Sequence, residues 1–297
     1  MNRRNLLKNL GLAGLVYQFP NPLFSQTNKI IGGEKVKLNN GIEIPILGYG
    51  TYQVSSNIAE QCVLDALEVG YRHIDTAKYY RNEREVGLAV KNSGLKRTEL
   101  FITTKLYSTS YDEAMRDIED SVNKIGDFVD LMLIHWVVSN DTKTYKAIED
   151  AIKQGMVKSV GISNYYGSDL KRILNNAKIL PVLNQVECNI IQQQKDLQKE
   201  LAKNNIFVEA WSPFGGGSHS REVLANPIIG EIAKSYNKTP AQIILRWFVQ
   251  RNIIVIPKTS KKERMKENFS IWDFELKNED MNKIANLDTK KGYFSWY

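Results

Sequence analysis

Four short strings in this chain carry residues able to handle protons and anions. HIDTAKYYRNE holds Asp75, Thr76 and Tyr80, FITTKLY holds Lys105, LMLIHW holds His135 and Trp136, and IPKTSKKERMKENF runs from Ile256 to Phe269. A tyrosine serves as a general acid only when its acidity is tuned, since a free phenol titrates at about 10 and a lysine at about 10.4. A Lys105 ammonium beside Tyr80 is expected to favour the phenolate and ease proton loss, with Asp75 holding that ammonium charged and fixed. His135 can hydrogen-bond a substrate oxygen and, with the Tyr80 hydroxyl, form a polar pocket for developing negative charge. Such a set suits protonation of an alkoxide as it forms from an aldehyde or ketone. No side chain donates a hydride, so that chemistry would require a nicotinamide cofactor.

Each of these residues has a plainer reading on its own: an Asp at a strand end is often a helix cap, and a Tyr after it often only packs. Their joint order after successive strand-like runs is what favours chemistry. His73 lies within a strand run and His219 in a glycine-rich loop, which assigns them to packing and solvent rather than to a site. Three scattered histidines and two distant cysteines match no metal-ligand spacing. Cys62, in a predicted helix, and Cys188, after a predicted strand, read as free thiols.

The elements that must position the set follow from hydrophobic pattern. VKLNNGIEIPIL puts Asn40 and Gly41 between two alternating apolar runs, the signature of a β-hairpin. Eight strand candidates come next: Ile46 to Tyr49, His73 to Asp75, Phe101 to Lys105, Phe128 to His135, Val157 to Ser163, Val182 to Val186, Phe207 to Trp211 and Ile253 to Ile256. Helical stretches such as Ala59 to Val69, Glu83 to Asn92 and Tyr111 to Ile125 separate them. Valine- and isoleucine-rich runs without polar alternation imply parallel strands covered on their outer face. Eight such units predict an α/β fold, a (β/α)8 TIM barrel with an N-terminal β-hairpin closing the bottom, and its active site at the strand C-termini. A doubly wound sheet is disfavoured because no G-x-G-x-x-G string occurs.

These strings together resemble the aldo-keto reductase family over essentially all of residues 35 to 292, within its branch similar to 2,5-diketo-D-gluconate reductase and prostaglandin F synthase. The resemblance implies Tyr80 as acid, Lys105 and Asp75 as its tuning pair and His135 as orienter. It implies NADPH as cofactor, with Ser163 and Asn164 of GISN and Gln185 of NQVE on the nicotinamide carboxamide, and Thr51 also in the cofactor site. Trp211 of EAWSPFG falls where the family usually has a stacking tyrosine, and Ser212, Phe214 and Gly215 would follow the pyrophosphate. In IPKTSKKERMKENF, Lys258, Thr259 and Arg264 would surround a 2′-phosphate, and Glu267 and Asn268 would reach the adenine. Lys261, Lys262 and Lys266 read as a solvated face. Tyr52 stands where the family has a tryptophan, Val137 where it has a proline, and Cys188, Asn189 and Ile190 where it has an aromatic and His-Pro. Those departures surround the pocket mouth, where Tyr52 and Trp136 would meet a small-molecule carbonyl substrate.

Length and composition suit one folded enzyme domain, with 297 residues, 42% hydrophobic and 25% charged. Residues 1–26 form a separate segment: Arg3 and Arg4, then an apolar run broken by glycines, resembling a twin-arginine export signal. The expectation is periplasmic export, with a disordered tail on a cytoplasmic protein as the alternative. That run is too short for a membrane span, and no cysteine follows it for a lipid anchor. The net charge of +7 becomes +4 without Arg3, Arg4 and Lys8. Such an excess suits an anionic cofactor better than nucleic acid, for which no aromatic-interleaved basic stripe is present. Residues 293–297 make an aromatic tail, and a monomer is the family's default. Two other classes compete with a reductase. A nucleotide-sensing binding module on the same barrel is opposed by the intact Asp75, Tyr80, Lys105 and His135 set, and a hydrolase by the lack of paired carboxylates or a nucleophile with its base.

Overall fold

The computed structural model describes residues 33–294, so the export-like segment and the last three aromatic-tail residues lie outside the described residues. The chain enters through an antiparallel hairpin, β1 (Lys35–Lys37) and β2 (Glu43–Pro45). Its turn is the expected Asn40-Gly41: Gly41 takes φ 87° and the Asn40 side chain accepts the Ile42 amide proton. Asn39 and Asn40 donate to Pro181 O and Ser159 Oγ, just before two barrel strands begin, which places the hairpin at the N-terminal end of the barrel.

Eight strands follow, β3 (Tyr49–Gly50), β4 (His73–Asp75), β5 (Phe101–Leu106), β6 (Leu131–Ile134), β7 (Val160–Ser163), β8 (Leu183–Glu187), β9 (Phe207–Trp211) and β10 (Ile254–Val255). Each pairs in parallel with the next in chain order. Backbone bonds from Gly48 N to Val255 O and from Val255 N to Ile46 O, each 2.9 Å, join last to first and close the barrel. The helices are α1 (Ser56–Val69), α2 (Glu83–Asn92), α3 (Tyr111–Ile125), α4 (Asp141–Lys153), α5 (Gly167–Asn176) and α6 (Lys195–Ala202). After β9 come α7 (Ser220–Leu224), α8 (Pro227–Tyr236) and α9 (Pro240–Gln250), and after β10 α10 (Lys262–Phe269) and α11 (Asn278–Ala285).

Ile102, Leu131, Leu133, Ile162, Leu183 and Ile254 are fully enclosed, as strands buried on both faces require. Strands β3, β6 and β7 are shorter than the apolar runs suggest. Ahead of β6 and β7, Val129 and Val157 make only an isolated bridge, and Phe128 is drawn aside between the Arg97 and Lys158 cations at 4.1 and 3.4 Å. Ahead of β3, residues 46 to 48 spend their backbone groups on closing the barrel. Cys62 and Cys188 are both buried and free. No described helix is long and apolar enough to cross a membrane.

Candidate active site

Asp75 ends β4, Lys105 is the fifth residue of β5 and His135 follows β6, so three adjacent parallel strands deliver these side chains to one end of the barrel. Tyr80 arrives from the short 3-10 turn Lys78–Tyr80 after β4. Asn82, with no exposed surface, holds that loop: its amide donates to Thr51 O and Val54 O, and its carbonyl oxygen accepts from the Thr76 hydroxyl at 2.7 Å. Sequence reasoning passed over Asn82, because its partners lie in the preceding loop and only the fold brings them together.

Lys105 lies at the centre of the set and is fully buried. Its ammonium donates to Asp75 Oδ1 at 2.5 Å, Thr76 O at 2.8 Å and the Tyr80 hydroxyl at 3.3 Å. Burial alone would discharge this lysine, but Asp75 and Tyr80 together outweigh it and raise its affinity for the proton. The expected pull of Lys105 on Tyr80 meets a larger opposing effect. Burial pushes the phenol up to about 12 and Lys105 recovers only part of that, so Tyr80 is a protonated donor at neutral pH rather than a phenolate. His135 is held well below its ordinary value, first by burial and then by the Lys105 charge, so it faces the site as neutral imidazole. Its ring lies 5.6 Å from that of Tyr80, and its buried Nδ1 has no partner among the described residues.

The residues expected around a nicotinamide adjoin this set. Ser163, at the end of β7, donates to Gln185 O at 2.9 Å, and Asn164 takes the left-handed conformation, φ 62°. The Asn164 amide donates to Ser163 Oγ, while its carbonyl oxygen accepts the Trp211 indole proton at 3.0 Å, which fixes that ring's plane. Gln185 Nε2 lies 2.8 Å from Asp75 Oδ2 and 2.7 Å from Glu209 Oε2. Both of its hydrogens are therefore committed to carboxyl oxygens, and what Gln185 can offer a ligand is its carbonyl oxygen. Beyond Trp211 the backbone has positive φ at Ser212, Gly215, Gly216 and Gly217. Such conformations, strained at a serine, let main chain approach a ligand closely. Phe214 is partly buried here, and Tyr293 and Phe294 of the tail pack on this loop, against His219 at 4.3 Å and Trp211 at 5.1 Å.

Thr51 is enclosed, its hydroxyl spent on Asp75 O at 3.0 Å. Lys258, four residues before α10, and Arg264, in the first turn of that helix, are exposed; the helix has no side-chain cap, and neither cation joins an ion pair among the described residues. Thr259 is anchored by Tyr49, whose hydroxyl donates to its carbonyl at 2.7 Å. Glu267 accepts from the Thr239 hydroxyl at 2.6 Å and Asn268 is buried. Lys262 is not merely solvated: it bridges Glu68 and Asp65 of α1. Around the site's mouth, Tyr52 tilts against Tyr80 at 5.0 Å, Trp136 stacks on His135 at 5.8 Å, and Tyr79 is 70% exposed.

The aldo/keto reductase family model matches residues 46–289, the whole of the barrel. The chain belongs to that family. Among curated relatives, a glyoxal reductase of Bacillus subtilis (strain 168) is 40% identical over 260 residues, covering 86% of this chain and 93% of that protein. An aldo-keto reductase from a Medee basin deep-sea metagenome library superposes with a TM-score of 0.85 at 42% identity, over 88% of this chain and 97% of the other. A Bombyx mori aldo-keto reductase solved in complex with NADP gives 0.82 at 32% identity, over 90% and 96%. As an aldo/keto reductase the chain is an oxidoreductase of carbonyl compounds.

Proposed function

We propose that this aldo/keto reductase converts an aldehyde or ketone to the alcohol with NADPH as hydride donor and Tyr80 as general acid. The observation that carries the reading is the chain from buried Asp75 and Lys105 to the half-buried Tyr80, at 2.5 and 3.3 Å, beside a neutral His135. A nicotinamide held there would supply the hydride that the carbonyl carbon needs. Tyr80 gives its proton to the carbonyl oxygen as charge develops there, and Lys105 stabilises the phenolate left behind. His135, neutral and carrying one N–H, donates to the same oxygen and fixes its position. Asp75 keeps the lysine charged through the cycle.

The Gln185 carbonyl oxygen, Ser163 and Asn164 would hold the carboxamide, and the braced Trp211 ring would stack on the nicotinamide. Lys258, Arg264 and the uncapped N-terminus of α10 would receive the 2′-phosphate, with Thr259, Glu267 and Asn268 beyond it. Two unpaired cations there favour NADPH over NADH, and the Bombyx mori relative solved with NADP supports the choice. An aromatic rim of Tyr52, Tyr79 and Trp136 favours a planar or apolar carbonyl compound, while the Bacillus subtilis relative makes glyoxal a natural first probe. We read residues 1–26 as an export signal for the folded, cofactor-loaded chain.

The test is nucleotide consumption by residues 27–297 with glyoxal and a panel of aliphatic and aromatic aldehydes, NADPH and NADH in parallel. Turnover preferring NADPH supports the reading. Tight NADPH binding with no turnover on any carbonyl would replace it with a nucleotide-sensing module.

A further inference from the structure

Behind the catalytic lysine lies a second carboxyl group that the mechanism does not use. Glu209, in the middle of β9, points into the barrel and has no exposed surface. Its Oε2 is 2.7 Å from Gln185 Nε2, the nitrogen that also reaches Asp75 Oδ2 at 2.8 Å, so one amide NH2 group bridges two buried carboxyls. Its Oε1 has no hydrogen-bond partner and faces His73 Nε2 at 3.6 Å, in contact but beyond hydrogen-bond range.

The charged and titratable groups facing Glu209 are His73 and Asp75 from β4 and Lys105 from β5; β8 offers the neutral Gln185, and β10 sets Ile254 beside it. His73 supplies no cation, because burial pushes it down to about 3. Among the described residues one ammonium, already 2.5 Å from Asp75, is the only positive charge for two carboxyls. Ionising both would leave an uncompensated buried charge, which is strongly disfavoured.

We propose, building on the reductase reading, that Glu209 is a positioning residue: an uncharged carboxylic acid bridged through Gln185 to Asp75, it orients the Gln185 amide and keeps a single ion pair beneath Tyr80. In this state the Gln185 carbonyl oxygen faces the cofactor side, and the Lys105 charge acts undiminished on the phenol. Burial and the Asp75 charge push Glu209 up to about 8, so the proton leaves just above neutral pH. The second negative charge then raises the phenol further and weakens it as an acid. Glu209 was invisible in the sequence analysis, where a glutamate inside VEAW reads as an ordinary strand residue.

The experiment begins without cofactor or substrate. Infrared difference spectra of the full chain across a pH titration should show one protonated carboxyl stretch at neutral pH that disappears around pH 8 and is missing in Glu209→Gln. A raised acid favours folding below its unfolded value and loses that contribution as pH climbs, so the Tm of Glu209→Gln should gain on wild type between about pH 4.5 and about pH 8. NADPH-dependent reduction by wild type should fall above that value by up to about tenfold per pH unit, and the variant should lack that limb. A purely structural role would shift Tm equally at every pH and leave the rate profile unmoved. Absence of the protonated band in wild type overturns the proposal even if the variant does not fold, as does an identical rate profile if it does. A band present with no reductase turnover keeps Glu209's protonation and sinks the reductase reading instead.

Discussion

Tyr80 keeps its proton because burial outweighs the lysine beside it, and that balance is what an acid for alkoxide needs. Removing the lysine charge should leave the phenol too weak: Lys105→Met is expected to lower kcat by about 10²- to 10⁴-fold with NADPH affinity little changed, read from steady-state rates and a fluorescence titration. Each change breaks the buried pair and costs stability, and Asp75→Asn differs in the charge it leaves behind. It strands the buried Lys105 ammonium without its carboxylate, so a stability loss of about 3–5 kcal/mol should accompany lost activity in chemical denaturation. These residues were legible in the sequence because each sits in a short distinctive string at a strand end. Asn82 and Glu209 were not, since their roles arise from partners that only barrel closure brings near. The direction of Tyr80's shift was misjudged for a related reason: sequence names the charged neighbour but not the depth of burial.

At the scale of elements, strand ends deliver the chemistry and tight helix contacts keep them in place. Gly87 of α2 lies so close to α3 that a Cβ there would sit 1.9 Å from the Lys124 carbonyl oxygen. Gly87→Ala should therefore cost about 1–3 kcal/mol through forced separation of α2 and α3, measured by urea unfolding, with no such cost at Gly230 of α8, where an added Cβ meets open space. Helix and strand order was readable from periodicity, and α2 and α3 run over the predicted spans. The loop beyond β9 was readable as glycine-rich and, through the family resemblance, as backbone that would follow a pyrophosphate. Its left-handed Ser212 and the packing of Tyr293 and Phe294 upon it depend on contacts between distant parts of the chain.

For the whole molecule, charge and closure set how an anionic cofactor is met. The net charge of +7 and the free Lys258 and Arg264 at α10 predict salt-sensitive NADPH binding. Arg264→Met should weaken NADPH by about tenfold or more while hardly altering NADH, as loss of a charge-assisted contact to the 2′-phosphate requires; isothermal titration with both nucleotides checks it. If residues 1–26 direct export, Arg3→Lys with Arg4→Lys should retain the protein in the cytoplasm on cell fractionation. The central claim is that Tyr80 protonates the substrate. Its most direct test is Tyr80→Phe, assayed for carbonyl-dependent NADPH oxidation alongside NADPH binding by fluorescence. The account predicts that turnover falls by about 10²-fold or more while binding stays within a few-fold of wild type; a variant that turns over at the wild-type rate would contradict it.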